Sequence, residues 1–158
     1  MGRLNDLEAK GQAVWLDFVD RTFLAEGGLG KLIDDDGVTG VTSNPSIFEK
    51  AMGRGDAYDA SLAAFDKTHP DASAMARYEH LAIEDIRHAA DILRPIYDRL
   101  GAKDGYVSIE VSPHIAHDTD ATIAEACGMS VPTLRTHLTH MFAKTGTGSR
   151  AALLGALL

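Results

Sequence analysis

A chain of 158 residues that is 45% hydrophobic and 24% charged has enough apolar material for one globular core, and it contains no stretch of about 18 apolar residues that would suggest a membrane span. The opening MGRLNDLEAKG has acids and no apolar run, so no secretory leader is expected; a lone Cys127 rules out an internal disulfide, and a cytoplasmic location is the expectation. The net charge of −8 is uneven: residues 121–158 hold one acid and three bases, leaving 22 acids and 12 bases in residues 1–120, so an acidic body carries a slightly basic tail.

Residues 2–11 read as a short helix, and VWLDFV at 14–19 as a buried strand with one acid, Asp17. EGGLGKLIDDDG follows as a glycine turn, a helix over 29–35 and a turn at Gly37; its spacing does not fit a dinucleotide fingerprint. GVTGVTSNP at 37–45 reads as a second strand ended by Asn44-Pro45, with proline opening a helix that runs to Gly53. An amphipathic helix over 56–67 carries Leu62 and Phe65, and Pro70-Asp71 ends the turn after it. From 72 to 100, Tyr78, Ala82, Ile86, Ala89 and Leu93 recur at helical spacing as one apolar stripe; Pro95 is expected to kink or restart this helix and Gly101 to cap it. GYVSIEVSP at 105–113 alternates Val107, Ile109 and Val111 as a third strand, so the order implies parallel βαβ units. After Asp118 the texture turns helical: 121–127, a glycine turn, 132–145 and a last helix in SRAALLGALL, with the spacing of a helix-turn-helix.

Three polar residues stand in or at the end of apolar strands: Asp17, Asn44 and Glu110. A carboxylate buried in a strand is costly unless paired or used, and polar groups at the C-terminal ends of (β/α) barrel strands converge on one site. The two acids could serve as a general acid/base pair, with Asn44 orienting a hydroxyl or carbonyl; alternatively, each is a satisfied core polar group.

The segments GQAVWLDFVDR, DGVTGVTSNPSIFEKA, AADILRPIYDR, DGYVSIEVSPHIAHDT and TIAEA together resemble bacterial transaldolases over about residues 4–126. That resemblance implies a (β/α)₈ barrel enzyme of the pentose phosphate pathway, which moves a dihydroxyacetone unit between sugar phosphates through a lysine Schiff base and uses no cofactor. It also implies roles: Asp17 as the base acting on the substrate hydroxyl during carbon–carbon cleavage, Asn44 as a hydrogen-bond partner of the dihydroxyacetone unit, and Glu110 as a proton carrier through water. Thr42 and Ser43 would shape the floor around Asn44. The family's lysine lies in an apolar Ile-Lys-Val-Pro type strand, and no such motif occurs here; the lysines are at 10, 31, 50, 67, 103 and 144. Without that amine the chain is expected to have no turnover of its own, so whether it is an enzyme stays open. Three βα units cannot close a barrel, and the third strand would be an open edge inviting self-association or cover by the tail.

From about Thr122, TIAEACGMSVPTLRTHLTHMFAKTGTGSRAALLGALL resembles the helix-turn-helix of LuxR-family transcription factors. This implies a recognition helix over 132–145, with Thr133, Arg135, Thr136 and Thr139 toward the groove and backbone, Lys144 toward a phosphate, and Leu134, Leu138, Met141 and Phe142 in the core. Three bases give weak affinity for duplex DNA, and the family's first bracing helix has no match. A helical plug on the open sheet is the alternative. The expected architecture is therefore α/β, a partial TIM (β/α) barrel of three units over 1–120 followed by an all-helical segment over 121–158, joined by fusion. The expected partners are a sugar phosphate, were the missing strands supplied, and weakly bound DNA; no membrane is expected. His114, His117 and Asp118 form HxxHD without calling for a metal, His137 and His140 read as core or surface residues, Cys127 as a small residue in a bend, and GTGS at 146–149 as a turn.

Overall fold

The computed structural model describes residues 4–110, 114, 115, 117–127, 132 and 139, in two compact units, Met1–Glu110 and Val111–Leu158. The first unit is mixed α/β and mostly helical. It begins with α1 (Asn5–Glu8), shorter than the 2–11 expected, and β1 (Trp15–Leu16). Then come α2 (Arg21–Ala25), α3 (Gly28–Asp36), β2 (Gly40–Val41), α4 (Pro45–Met52), α5 (Asp59–Thr68) and α6 (Ala74–Arg99). β1 and β2 pair in parallel with Trp15 opposite Gly40 and Leu16 opposite Val41, and Val41 bridges in parallel to Val107. The parallel order is as expected, but the strands are much shorter than the 14–19, 37–45 and 105–113 segments; of the third, only Val107 pairs among the described residues. No helix among the described residues is long and apolar enough to cross a membrane.

Two clasps hold the short ladder. At the N-terminal ends, the Trp15 indole N–H donates to Asp104 (3.1 Å), whose carboxylate also accepts from the Gly105 N–H (2.9 Å). The indole lies so close over Gly40 that a Cβ there would fall 2.3 Å from it, so only glycine fits. At the C-terminal ends, side chains of Thr42, Ser43 and Ser108 make the second clasp, described below with the site.

The core lies between this ladder and the helices: Val19, Leu24, Leu29, Val41, Phe48, Ala82, Ala89, Leu93 and Ile96 are buried together. The stripe on α6 explains its length, since Ala82, Ala89 and Leu93 are buried and Tyr78 and Ile86 pack against the same cluster. Ser73 caps α6 by accepting from the Ala76 N–H (3.1 Å). The helix runs through Pro95 rather than restarting there. Pro95 and Asp91, whose carbonyl loses its helical donor, are both exposed, so water can take the freed group.

The unexpected element is α2. Its five residues, RTFLA, are too few to show periodicity, and it is held by caps and tertiary contacts. Asp20 accepts from the Phe23 N–H (3.0 Å). Arg21 donates to Asp85 (2.7 Å) and Glu84 (2.9 Å) on α6, and its guanidinium lies 4.4 Å from the Tyr58 ring centroid. The Tyr58 hydroxyl donates to the other oxygen of Asp85 (2.7 Å), and Ser61 donates to Glu84 (2.5 Å). Burial pushes the Asp85 carboxyl upward, and the bonds from Tyr58 and Arg21 pull it part of the way back. Burial also raises the Tyr58 phenol, with Asp85 adding to the shift. Burial works against the Arg21 charge, but Asp85 and Glu84 outweigh it and leave the guanidinium raised.

In the second unit α7 (Thr119–Cys127) overlaps the helix expected at 121–127. Asp118 starts it by accepting from the Ala121 N–H (3.0 Å), and Thr122 donates to the Ile115 carbonyl (3.2 Å). Within the helix expected at 132–145, Pro132 and Thr139 are helical and exposed; its other residues lie outside the described ones.

Candidate functional site

The site residues stand where each ladder segment runs out. β1 ends at Leu16, putting Asp17 at its C-terminal tip; β2 ends at Val41 and is followed by Thr42, Ser43 and Asn44. The Thr42 hydroxyl lies 2.6 Å from Asp17 Oδ1, to which it donates, so the first two strand ends are joined through side chains. The Ser43 N–H donates to Ser108 Oγ (2.9 Å) and the Ser43 hydroxyl to the Ser108 carbonyl (2.7 Å), joining the second to the third. Ser43 is buried, so these bonds are shielded from water.

Asn44 caps α4: its Oδ1 accepts from the Ile47 N–H (3.0 Å), with Pro45 at the first helical position, as the sequence suggested. The cap fixes the side-chain oxygen at the head of the helix and leaves the amide N–H₂ as the group able to donate outward. A cavity of about 310 Å³ opens there, lined by Asp17, Phe18, Asp20, Asn44, Ser46, Ile47, Lys50, Ala51 and Arg54. Asp17 and Asn44, from different βα units, thus face one space.

Two expectations are corrected. Asp17 and Glu110 are exposed, not buried carboxylates, because the ladder stops one residue before Asp17 and pairs at Val107, three before Glu110. Glu110 does not line the Asp17–Asn44 cavity. Its surroundings are marked by Tyr78, whose phenol is raised first by burial and then by the Glu110 charge. Asn44 and Thr42 are half-buried.

Sequence reasoning passed over Ser108, Lys50 and Arg54. Ser108 carried a readable signal, since in SIE it lies two residues before Glu110 beside the Val107 pairing. Lys50, in the last turn of α4, and Arg54, just past its cap Gly53, carried no distinguishing signal in the sequence. Of the residues assigned to DNA, Thr133, Arg135, Thr136 and Lys144 lie outside the described residues, and Thr139 is exposed.

The model of the transaldolase/fructose-6-phosphate aldolase family matches residues 14–130. Transaldolase 2 of Streptomyces coelicolor is 49% identical over 123 residues, 78% of this chain and 32% of the relative. The transaldolase of Thiobacillus denitrificans is 45% identical over 126 residues, 80% of this chain and 34% of the relative. That of Mycobacterium leprae is 48% identical over 120 residues, 76% of this chain and 32% of the relative. The chain therefore spans about a third of the length of the curated relatives it matches. Residues 131–158 lie beyond the family match.

Proposed function

The chain belongs to the transaldolase/fructose-6-phosphate aldolase family, and from that premise we propose that residues 1–120 are a partial transaldolase-type (β/α) barrel of three βα units, supplying part of a site that transfers a dihydroxyacetone unit between sugar phosphates. The observation that carries this reading is the convergence of Asp17 and Asn44 on one cavity at the C-terminal ends of neighbouring parallel strands. Asp17 acts as the base on a substrate hydroxyl, and the Thr42 hydroxyl orients its carboxylate. The Asn44 amide N–H₂ donates to the dihydroxyacetone oxygens. Ser43, clasped to Ser108, keeps the floor rigid. Glu110 moves protons through a water from outside the Asp17–Asn44 cavity. The Schiff-base amine and the remaining barrel walls come from strands that this segment does not contain, so the chain alone is proposed to turn nothing over.

A chimera tests this. Residues 1–126 replace the matching third of the Thiobacillus denitrificans transaldolase, and turnover of fructose 6-phosphate with erythrose 4-phosphate is followed. The chimera is expected to be active, and Asp17→Asn and Glu110→Gln each to lower kcat by about 10²–10⁴-fold, the range of a lost general acid or base. A folded, active chimera indifferent to Asp17→Asn would overturn the assignment.

Because residues 131–158 lie beyond the family match, a second reading is kept for the segment 121–158: a LuxR-type helix-turn-helix that binds duplex DNA through Thr133, Arg135, Thr136, Thr139 and Lys144. Fluorescence anisotropy with labelled duplex is expected to show binding that weakens with salt. No binding at low ionic strength would remove this reading.

A further inference from the structure

Two walls of the Asp17–Asn44 cavity are residues 17–20, which lead into α2, and the part of α4 that carries Ile47 and Ala51. Tyr58, buried at the head of α5, does not line the cavity but is fastened to both walls. Its hydroxyl accepts from the Arg21 N–H (3.3 Å), directly after Asp20. Arg21 is the first residue of α2, so this N–H has no acceptor within the helix and depends on one supplied from outside. The Tyr58 ring is buried with Ala51 of α4 and Leu81 of α6, apart from the main core. The same hydroxyl donates to Asp85 (2.7 Å), whose other oxygen accepts from the Arg21 guanidinium (2.7 Å). That guanidinium also donates to the Leu81 carbonyl (3.3 Å). Asp85 and Leu81 both stand on α6, whose Ala82, Ala89 and Leu93 are buried in the main core, so the two walls are tied to one support.

We propose that Tyr58 is a positioning residue, which sets the gap between the loop bearing Asp17 and the helix headed by Asn44 by fastening both to α6. The bond to the loop is made to backbone. A side chain can swing while its backbone stays, but an N–H moves only with the chain, so the hydroxyl fixes the loop itself, four residues from Asp17. Asp17 must meet a substrate hydroxyl while Asn44 holds another oxygen, and a misplacement of about 1 Å in such a pair can cost about 10²-fold in rate. The catalytic consequence rests on the reading of Asp17 and Asn44 given above; the fastening does not.

The test uses amide hydrogen exchange in the full chain, each rate taken relative to Ala89, buried within α6. Tyr58→Phe keeps the ring and removes the hydroxyl; exchange at Arg21 is expected to rise by about ten-fold, the effect of one lost hydrogen bond, with Ala51 unchanged. Tyr58→Ala, which also removes the ring beside Ala51, is expected to speed Ala51 as well. Ser73→Ala removes only the α6 cap and serves as the stability control: its urea midpoint is expected to fall while Arg21 and Ala51 keep their relative rates. In the chimera, Tyr58→Phe is expected to lower kcat by about ten-fold or more and to change KM less, because a misaligned base costs the transition state rather than the bound substrate. Ser73→Ala is expected to leave both unchanged. Equal Arg21 exchange in wild type and Tyr58→Phe, or equal Ala51 exchange in wild type and Tyr58→Ala, overturns the fastening. An unchanged kcat in a chimera that does respond to Asp17→Asn overturns the positioning role. A chimera indifferent to both changes sinks the reading of Asp17 instead, and the fastening then stands on the exchange rates.

Discussion

Gly105 sits with φ +95° where the chain turns into the third strand position, and a Cβ there would fall 2.4 Å from the Tyr97 backbone nitrogen. The obstacle is backbone of α6, which cannot swing aside as a side chain can. Gly105→Ala is therefore expected to cost at least about 3 kcal/mol, read from the urea midpoint, combining a disfavoured φ with a steric clash. Ser43→Ala makes a milder probe. It removes the hydroxyl donor to the Ser108 carbonyl at a buried position, and about 1–2 kcal/mol is expected in the same assay. The position of Asp17 was legible because it follows Val14-Trp15-Leu16 directly, and that of Asn44 because Asn-Pro is a strong helix-opening pair. Their surroundings were not. A run such as VWLDFV reveals apolar character but not where the ladder lets go, and the ladder here releases the chain at Leu16, leaving Asp17 in water. Lys50 was unreadable for the opposite reason: a lysine near the end of a helix is what the helix dipole alone would select.

At the scale of elements, α6 and α2 mark the two extremes of legibility. The 26 residues of α6 declared themselves through a stripe repeated over several turns, whereas the five of α2 depend on partners about 60 residues away. Arg21→Ala would leave the Asp85 side chain, 3% exposed, without its cation, and a loss of about 3 kcal/mol is expected. Because α2 begins four residues after Asp17, the same change is expected to loosen the loop that carries Asp17. Tyr58 adds a dependence on pH. Its phenol is raised in the folded chain, by burial first and by Asp85 second, whereas in the unfolded chain it ionises near pH 10. The neutral phenol is thus favoured by folding: its contribution is fully present below about pH 10 and is lost as pH rises above that value toward the folded pKa. Urea midpoints are expected to fall more steeply above pH 10 in the wild type than in Tyr58→Phe. Parallel slopes would show that the Tyr58–Asp85 bond does not link to folding.

For the molecule as a whole, the deciding question is whether any amine within it can form an imine. Schiff-base chemistry needs a lysine that is desolvated or crowded by another cation, so that a useful fraction is uncharged. Lys10, Lys31, Lys50, Lys67 and Lys103 are all exposed, and only Lys50 lines the Asp17–Asn44 cavity. Lys50 shares that cavity with Arg54 and with the carboxylates of Asp17 and Asp20. The remaining lysine, Lys144, lies outside the described residues and beyond the family match. Incubation with fructose 6-phosphate and borohydride, followed by peptide mass spectrometry, is therefore expected to leave all six lysines unmodified. The chimera, given the strand lysine of its relative, is expected to be trapped at that residue alone. Stoichiometric trapping at Lys50 in the isolated chain would overturn the proposal that the chain turns nothing over without the remaining strands. Trapping in the chimera but not in the chain would place the division of labour at the boundary between these three βα units and the strands that follow in the relatives, with acid–base and hydroxyl-binding groups on one side and the covalent step on the other.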